Sequence, residues 1–451
     1  MLKRVASEWF GDFDRQELKK FIFLGIIFGF VIGIYWVLKP VKDAVFMSMV
    51  GAKKIGHAKI FSLIALFPAV MILGKLIDMF PRHRILYVLG CIYSLFALIF
   101  GFLLADPVIG LSNTVVDSSR ALGWLWYVFV ESYGSIMVAS FWAFAIDITQ
   151  PESAKRGFPL VVLVGQFCSL LSPLYLTPLV SPDRWGSSAY VIMFSSLLIF
   201  MIVILVALFV RVTPKEQMVG YHQSKEVSRE KPGFLKGLTL LLSRPYLMGV
   251  FAIIAIYEIV LTVLDFHFKN FVEMTVFDAS SRVLYLNDYA FWVNIIACAS
   301  LILGVSNIQR RLGVSVSLAL MPCIVAVAVS TFYMYPEISV LFWIMVGAKG
   351  MHYALNGPSI KQLYVPTSLD VKYKSQAWIE TFGSRVSRGV GSGINMLLEP
   401  FTAWLGPCQG LALHIAASSM FSMGLLVVWF GVALYLGKEY GKAIEEDRVV
   451  C

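Results

Sequence analysis

The chain has 451 residues, of which 58% are apolar and only 14% charged, whereas a soluble domain carries about 25% charge. A water-soluble globular protein is excluded, and this length holds roughly a dozen membrane spans of about 20 residues. The net charge of +9 is spread between apolar runs rather than gathered on one patch, which argues against a nucleic-acid surface and for loops that orient a membrane protein.

The first twenty residues, MLKRVASEWFGDFDRQELKK, have neither an apolar core nor a small-residue cleavage site. They are expected to form an amphipathic cytoplasmic lead-in, not a signal peptide. Apolar runs then fall at about 20–38, 58–80, 85–105, 124–148, 158–180, 189–211, 246–268, 289–308, 315–335, 338–364, 377–405 and 411–437. The stretch 212–245 is the only long polar one. The expected fold is all-α and polytopic, with twelve transmembrane helices. It comprises a cytoplasmic segment 1–19, a six-helix half 20–211, a cytoplasmic linker 212–245, a second six-helix half 246–437 and a cytoplasmic tail 438–451. Six cysteines (91, 168, 298, 323, 408 and 451) show no C-x-x-C pair or metal spacing, so neither a metal nor another cofactor is expected. The final Cys451 has no residues after it to make a prenylation box.

With the N-terminus inside, inner segments carry most of the basic residues, among them Arg82, Arg84, Lys155, Arg156, Arg310, Arg311 and the linker lysines and arginines. Outer segments carry fewer: Lys53, Lys54, Lys59, Arg120, Arg184, Lys269 and Arg282. The asymmetry places both termini in the cytoplasm, and the three lysines of the first outer loop are the one place that resists. After the second span, GKLIDMFPRHR (74–84) sets out Gly74, Asp78, Arg82 and Arg84. This order resembles the G-x-x-x-D-x-x-x-R-x-R inner-loop motif of the major-facilitator superfamily, although GVSNIQRRLG in the second half lacks the acid. The resemblance implies two halves that rock about a central site, with Gly74, Asp78 and Arg82 as gating residues.

An ionisable residue near the bilayer centre costs about 2.5–3.5 kcal/mol and needs a partner, a water-filled cavity or a function. Lys39, Lys42 and Asp43 in VLKPVKDAVF follow the first apolar run, and Glu131 stands in the fourth. Glu258, Thr262, Asp265 and Lys269 form a helical stripe in the seventh; Asp265 and Lys269 are four apart and suited to pair with each other. In the tenth, Lys349, His352, Asn356 and Ser359 share a face. In the eleventh, Glu380, Ser384, Arg388, Gly391 and Asn395 do so, with Arg385 beside them. These stripes are expected to line a cavity. Lys42, Lys349, Lys361, Arg385 and Arg388, read as unpaired cations against Glu131, Glu258 and Glu380, point to an anionic substrate. Guanidinium groups suit phosphate or carboxylate, and an embedded glutamate is the candidate carrier of a coupling proton. Pro40 is expected to start a new turn and to displace Lys39, which snorkels outward. Lys42 and Asp43, about 100° apart on a helix, are not expected to neutralise each other. Lys42 is expected to face the site near Glu131.

Three stretches carry a closer resemblance. LKPVKDAVF is similar to the L-K-D-T-L region of the nucleotide transporters (ATP/ADP translocases) of obligate intracellular bacteria and plastids. FWAFAIDITQPESAKRGFPL (141–160) resembles that family's F-W-G-F-A-N-x-I-T followed by E-A-K-R-F-Y-P-L. NGPSIKQLYVPTSLDVKYKSQAWIE (356–380) resembles D-P-T-K-E-M-A-Y-I-P-L-D-x-x-x-K-x-K-G-K-A-A-I-D. Order and spacing agree along nearly the whole chain. The resemblance implies a monomeric nucleotide carrier in a bacterial inner membrane, either exchanging ATP for ADP plus phosphate or importing nucleotides with protons. The family lysine of the first span maps onto Lys42, the acid of the fourth onto Glu131 and an acid of the seventh onto Glu258. Asp147, Lys155 and Arg156 fall in the middle motif and are read as gating residues. In the third, Ile360 and Lys361 stand for the family's lysine and glutamate, and Gln376 for a second lysine, while Glu380 keeps the closing acid. Either Lys361, Lys349 or the Arg385/Arg388 pair takes over those cations, or the substrate carries fewer phosphates. The alternative with the same fold is a carrier of another organic anion, a carboxylate metabolite or a siderophore. A membrane enzyme is disfavoured, because the six histidines (57, 83, 222, 267, 352 and 414) are dispersed and no D-x-D cluster occurs.

Overall fold

The computed structural model describes residues 14–149, 151–180, 188–214, 218, 239, 241–302, 306–364, 366–367, 379, 383–446 and 450. The regular secondary structure among these is helical, which pairs backbone N–H and C=O groups within each segment as hydrocarbon surroundings demand. α1 (Arg15–Met49) leads through a 3₁₀ turn (Ala52–Lys54) to α2 (Ile55–Met79), α3 (Arg82–Ala105), α4 (Ala121–Asp147), α5 (Pro151–Val180) and α6 (Ser188–Val212). Then come α7 (Pro245–Thr275), α8 (Ala279–Ile302), α9 (Ser306–Met334) and α10 (Ile338–Met351). α10 runs through a π-helical turn (His352–Asn356) into α11 (Gly357–Leu363), and α12 (Ser384–Met396), α13 (Leu398–Leu405) and α14 (Pro407–Glu445) follow. Helix is found within each of the twelve apolar runs. Among the described residues seven helices are long and apolar enough to cross a membrane.

Several helix ends lie beyond the apolar runs, and two of them are instructive. α8 starts at Ala279 rather than near 289, because Ser280, Ser281, Arg282, Asn287 and Asp288 lie in its first turns and interrupt the apolar pattern. α1 continues to Met49 with Pro40 inside it, so the new turn expected at Pro40 does not form. Proline in a helix interior costs about 3 kcal/mol. Here Trp36, Val37, Leu38, Val41, Ala44 and Val45 are all buried around it, and a break would expose them. Packing wins.

The chain folds as two compact units. One comprises Met1–Gly51, Ile64–Arg229 and Phe277–Phe291; the other comprises Ala52–Leu63, Glu230–Val276 and Trp292–Cys451. In the first, Gly25, Gly29 and Gly33 of α1 face Val164, Cys168 and Ser172 of α5, and a methyl at Gly33 would lie 2.8 Å from the Ser172 hydroxyl oxygen. That four-residue spacing of glycines lets the two backbones close. The 277–291 segment is tied in by Arg282, whose Nη1 donates to the Ser48 hydroxyl at 3.1 Å.

In the second unit α12 packs on α7, where a methyl at Gly391 would come within 2.9 Å of the Ile259 carbonyl oxygen. Gly383 is similarly tight against Phe251, whereas Gly393 faces open space, so only some of these glycines serve close packing. Gly313, at φ 82°, breaks α9, and Gly406, at φ 84°, links α13 to α14. The 52–63 segment is anchored by the Ala52 N–H donating to Glu273 Oε1 at 2.8 Å and by Lys54 beside Glu399 at 2.9 Å.

Candidate functional site

In the first unit the site grows from one buried lysine. α1 carries Lys42 on its packed face, where the side chain is 4% exposed. Tyr127 and Glu131, four residues apart on α4, present a ring and a carboxylate to the same ammonium. Lys42 Nζ donates to Glu131 Oε1 and lies 4.2 Å from the centre of the Tyr127 ring. It also lies 3.4 Å from Asp43 Oδ1, which corrects the expectation that these neighbours do not meet. The 100° separation holds for their Cα–Cβ directions, but the four-carbon lysine stem curls back far enough to reach the next carboxylate. Lys39 sits 4.6 Å from the Trp36 ring centre, a cation–π contact.

In the second unit there are two polar centres on the α7 stripe. Glu258 Oε1 accepts a hydrogen bond from the Ser384 hydroxyl at 2.7 Å, and Arg388 Nε lies 3.6 Å from its other oxygen. Two turns on, Asp265 is bound by Lys269 at 2.9 Å, by Lys349 at 3.0 Å and by Lys59 at 3.2 Å. The reading of Lys42, Lys349 and Arg388 as unpaired cations is thereby corrected: each has a carboxylate partner, because a charge in apolar surroundings is held only with compensation. The half-buried Arg385 on α12 is likewise engaged.

On α10 and its π turn, Asn356 is buried and its amide nitrogen lies 3.1 Å from His352 Nδ1. The His352 ring stacks on Tyr257 at 3.9 Å between centroids. π turns recur at functional sites. Ile360, in the family-lysine position, is buried and packs as a core residue. Asp147 is half-buried at the end of α4, with its charge felt by His83. Gly74 lies in α2. The side chains of Asp78, Arg82, Lys155, Arg156 and Lys361, and Glu380 altogether, lie outside the described residues. Sequence reasoning missed Lys59 and the junction of three lysines on Asp265, having paired Asp265 with Lys269 alone. The excess lysines in the first outer loop were the signal available for it.

Three carboxylate–cation clusters, one in the first unit and two in the second, can hold an anion by trading a protein carboxylate for a ligand oxygen. Phosphate suits that exchange, since it accepts several charge-assisted hydrogen bonds at once.

Comparison with known proteins agrees with this chemistry. The chain is 22% identical to ADP,ATP carrier protein 3 of Rickettsia conorii, covering 95% of each chain. It is equally 22% identical to ADP,ATP carrier protein 4 of Rickettsia felis, covering 97% of this chain and 95% of that one. Among solved structures it resembles the nucleoside transporter NupG, with a TM-score of 0.63 at 13% identity over 92% of this chain and 98% of that one. It also resembles the POT family transporter PepTSo, with a TM-score of 0.63 at 12% identity over 94% and 98%. At these identities the structural likeness establishes the fold alone. The model of the TLC ATP/ADP transporter family matches residues 4–112 and 122–440, and the chain belongs to that family.

Proposed function

We propose that this integral membrane protein is a secondary carrier that moves nucleotides by alternating access, as proton symport or as counter-exchange. The observation that carries the reading is the family match along almost the whole chain, which includes the buried Lys42–Glu131 pair. In this reading Lys42 leaves Glu131 for a substrate phosphate, and Glu131 is then neutralised by a proton or by rearrangement. Glu258, Asn356, Lys361, Glu380, Arg385 and Arg388 supply further contacts. Residues 20–211 and 246–437 rock about the bound substrate, and Gly74, Asp78, Arg82, Asp147, Lys155 and Arg156 gate the inner side. The carrier acts as a monomer in a bacterial inner membrane with both termini in the cytoplasm.

The test is uptake of radiolabelled ATP, GTP, UTP and NAD into cells expressing the chain. At least one is expected to accumulate and to be competed by its unlabelled form; no uptake of any would overturn the reading. Preloading vesicles with nucleotide, against collapsing the proton gradient, separates exchange from symport.

A further inference from the structure

We propose that Lys59, Lys269 and Lys349 form a phosphate-binding site that Asp265 fills as a stand-in while no substrate is bound. The nucleotide-carrier reading supplies the source of the phosphate, and geometry supplies the site. All four side chains belong to the second unit and converge from three helices: Lys59 from α2, Lys269 and Asp265 from α7, Lys349 from α10. Asp265 Oδ1 accepts from Lys349 at 3.0 Å, while Oδ2 accepts from Lys269 at 2.9 Å and Lys59 at 3.2 Å.

A purely structural role for Asp265 does not call for this arrangement. Lys269, four residues on in the same helix, already gives it a counter-ion. Bringing two further ammonium groups to the same point adds like-charge repulsion and the cost of holding lysines in apolar surroundings. An oxyanion with more oxygens and more charge than a carboxylate fits three lysine donors better, since lysine binds phosphate as a compact point charge. Its side chains are between 7% and 19% exposed, buried enough to strengthen the attraction. The Glu258–Ser384–Arg388 group lies seven residues back on α7, about 10 Å along one face, which is within the span of one nucleotide. Phosphate taking over the lysines releases Asp265 and loosens the tie between α7 and the 52–63 segment, so occupancy of the site is felt by two further elements.

The experiment measures dissociation constants of inorganic triphosphate and of ATP for the purified full-length protein and three variants. Asp265→Asn removes the competing anion and is expected to bind triphosphate about tenfold tighter, whereas Lys59→Gln and Lys349→Gln are each expected to bind it about tenfold weaker, the scale of one lost charged hydrogen bond. Unchanged or weaker binding by Asp265→Asn overturns the proposal, as does unchanged binding by both lysine variants or no triphosphate binding by the parent. If Asp265→Asn does not fold, the two lysine variants decide. Triphosphate binding that follows this pattern without ATP or GTP binding upholds the site and refutes the nucleotide reading. ATP binding indifferent to all three variants does the reverse.

Discussion

At the residue scale, the structure changes what a Lys42 substitution means. Removing that ammonium leaves Glu131 and the buried Asp43 without the partner they share, and breaking a buried pair from one side costs about 3 kcal/mol. Lys42→Ala is therefore expected to lose uptake and also to unfold at lower temperature. Adding Glu131→Gln removes one of the two carboxylates that faced it, so the double variant should recover part of the thermal stability and none of the uptake. Full recovery of both would make the pair structural only. Lys39→Ala loses a cation–π contact with Trp36, worth about 0.5–2 kcal/mol, and should transport nearly normally. That Lys42 faces Glu131 was legible in the sequence. The contact with Asp43 was not legible, because helical angles describe where a side chain starts and not where a long flexible one ends. Nor was the three-lysine junction, whose partners lie 206 and 84 positions from Asp265; sequence periodicity reports only neighbours on one helix.

At the element scale, apolar periodicity found the helices and misplaced several of their ends. Pro40 was overruled by packing that no local pattern contains, and the start of α8 was hidden by the polar residues of its first turns. The same logic makes Gly391 a sensitive position: a side chain there meets the Ile259 carbonyl and Thr262 on α7, whereas Gly393, half a turn away, faces open space. Gly391→Leu should lower the melting temperature and impair uptake, and Gly393→Ala should do neither; equal behaviour would mean that α12 does not rest on α7 through Gly391. The loop between α3 and α4 is held by Arg120, which donates to the carbonyls of Ile109, Gly110, Asn113 and Val115 at 2.7–3.0 Å. Arg120→Ala should make this loop the first site of protease nicking. Asp106 accepts from the Val108 and Ile109 N–H groups, and Asp117 from that of Ser119; these bonds hold both carboxyls below their usual range. A depressed acid stabilises the fold above its unfolded value of about 3.9 and stops doing so as pH falls through its folded one. A spin label at Val116→Cys, in a background lacking the native cysteines, should be immobile at pH 7 and loosen below about pH 4; mobility independent of pH would remove these carboxylates from the account.

At the scale of the whole molecule, the proposed orientation with both termini inside rests on the loop charges, and the structure describes partners for several of the cations counted as outer. Lys54 is beside Glu399 and Lys59 beside Asp265, so neither acts as a free charge on the outer surface. Arg120 is enclosed by backbone carbonyls, and Lys269 is buried against Asp265. In a background free of native cysteines, a cysteine restored at 451 should react with a membrane-impermeant maleimide only after the cells are opened. One at Val116→Cys should react in intact cells. The reverse pattern would invert the chain in the membrane and put the Asp265 cluster at the opposite end of the transport path; both sites reacting in intact cells would rule out an even number of spans with the tail inside. Orientation thus decides from which side the three-lysine site first meets its anion.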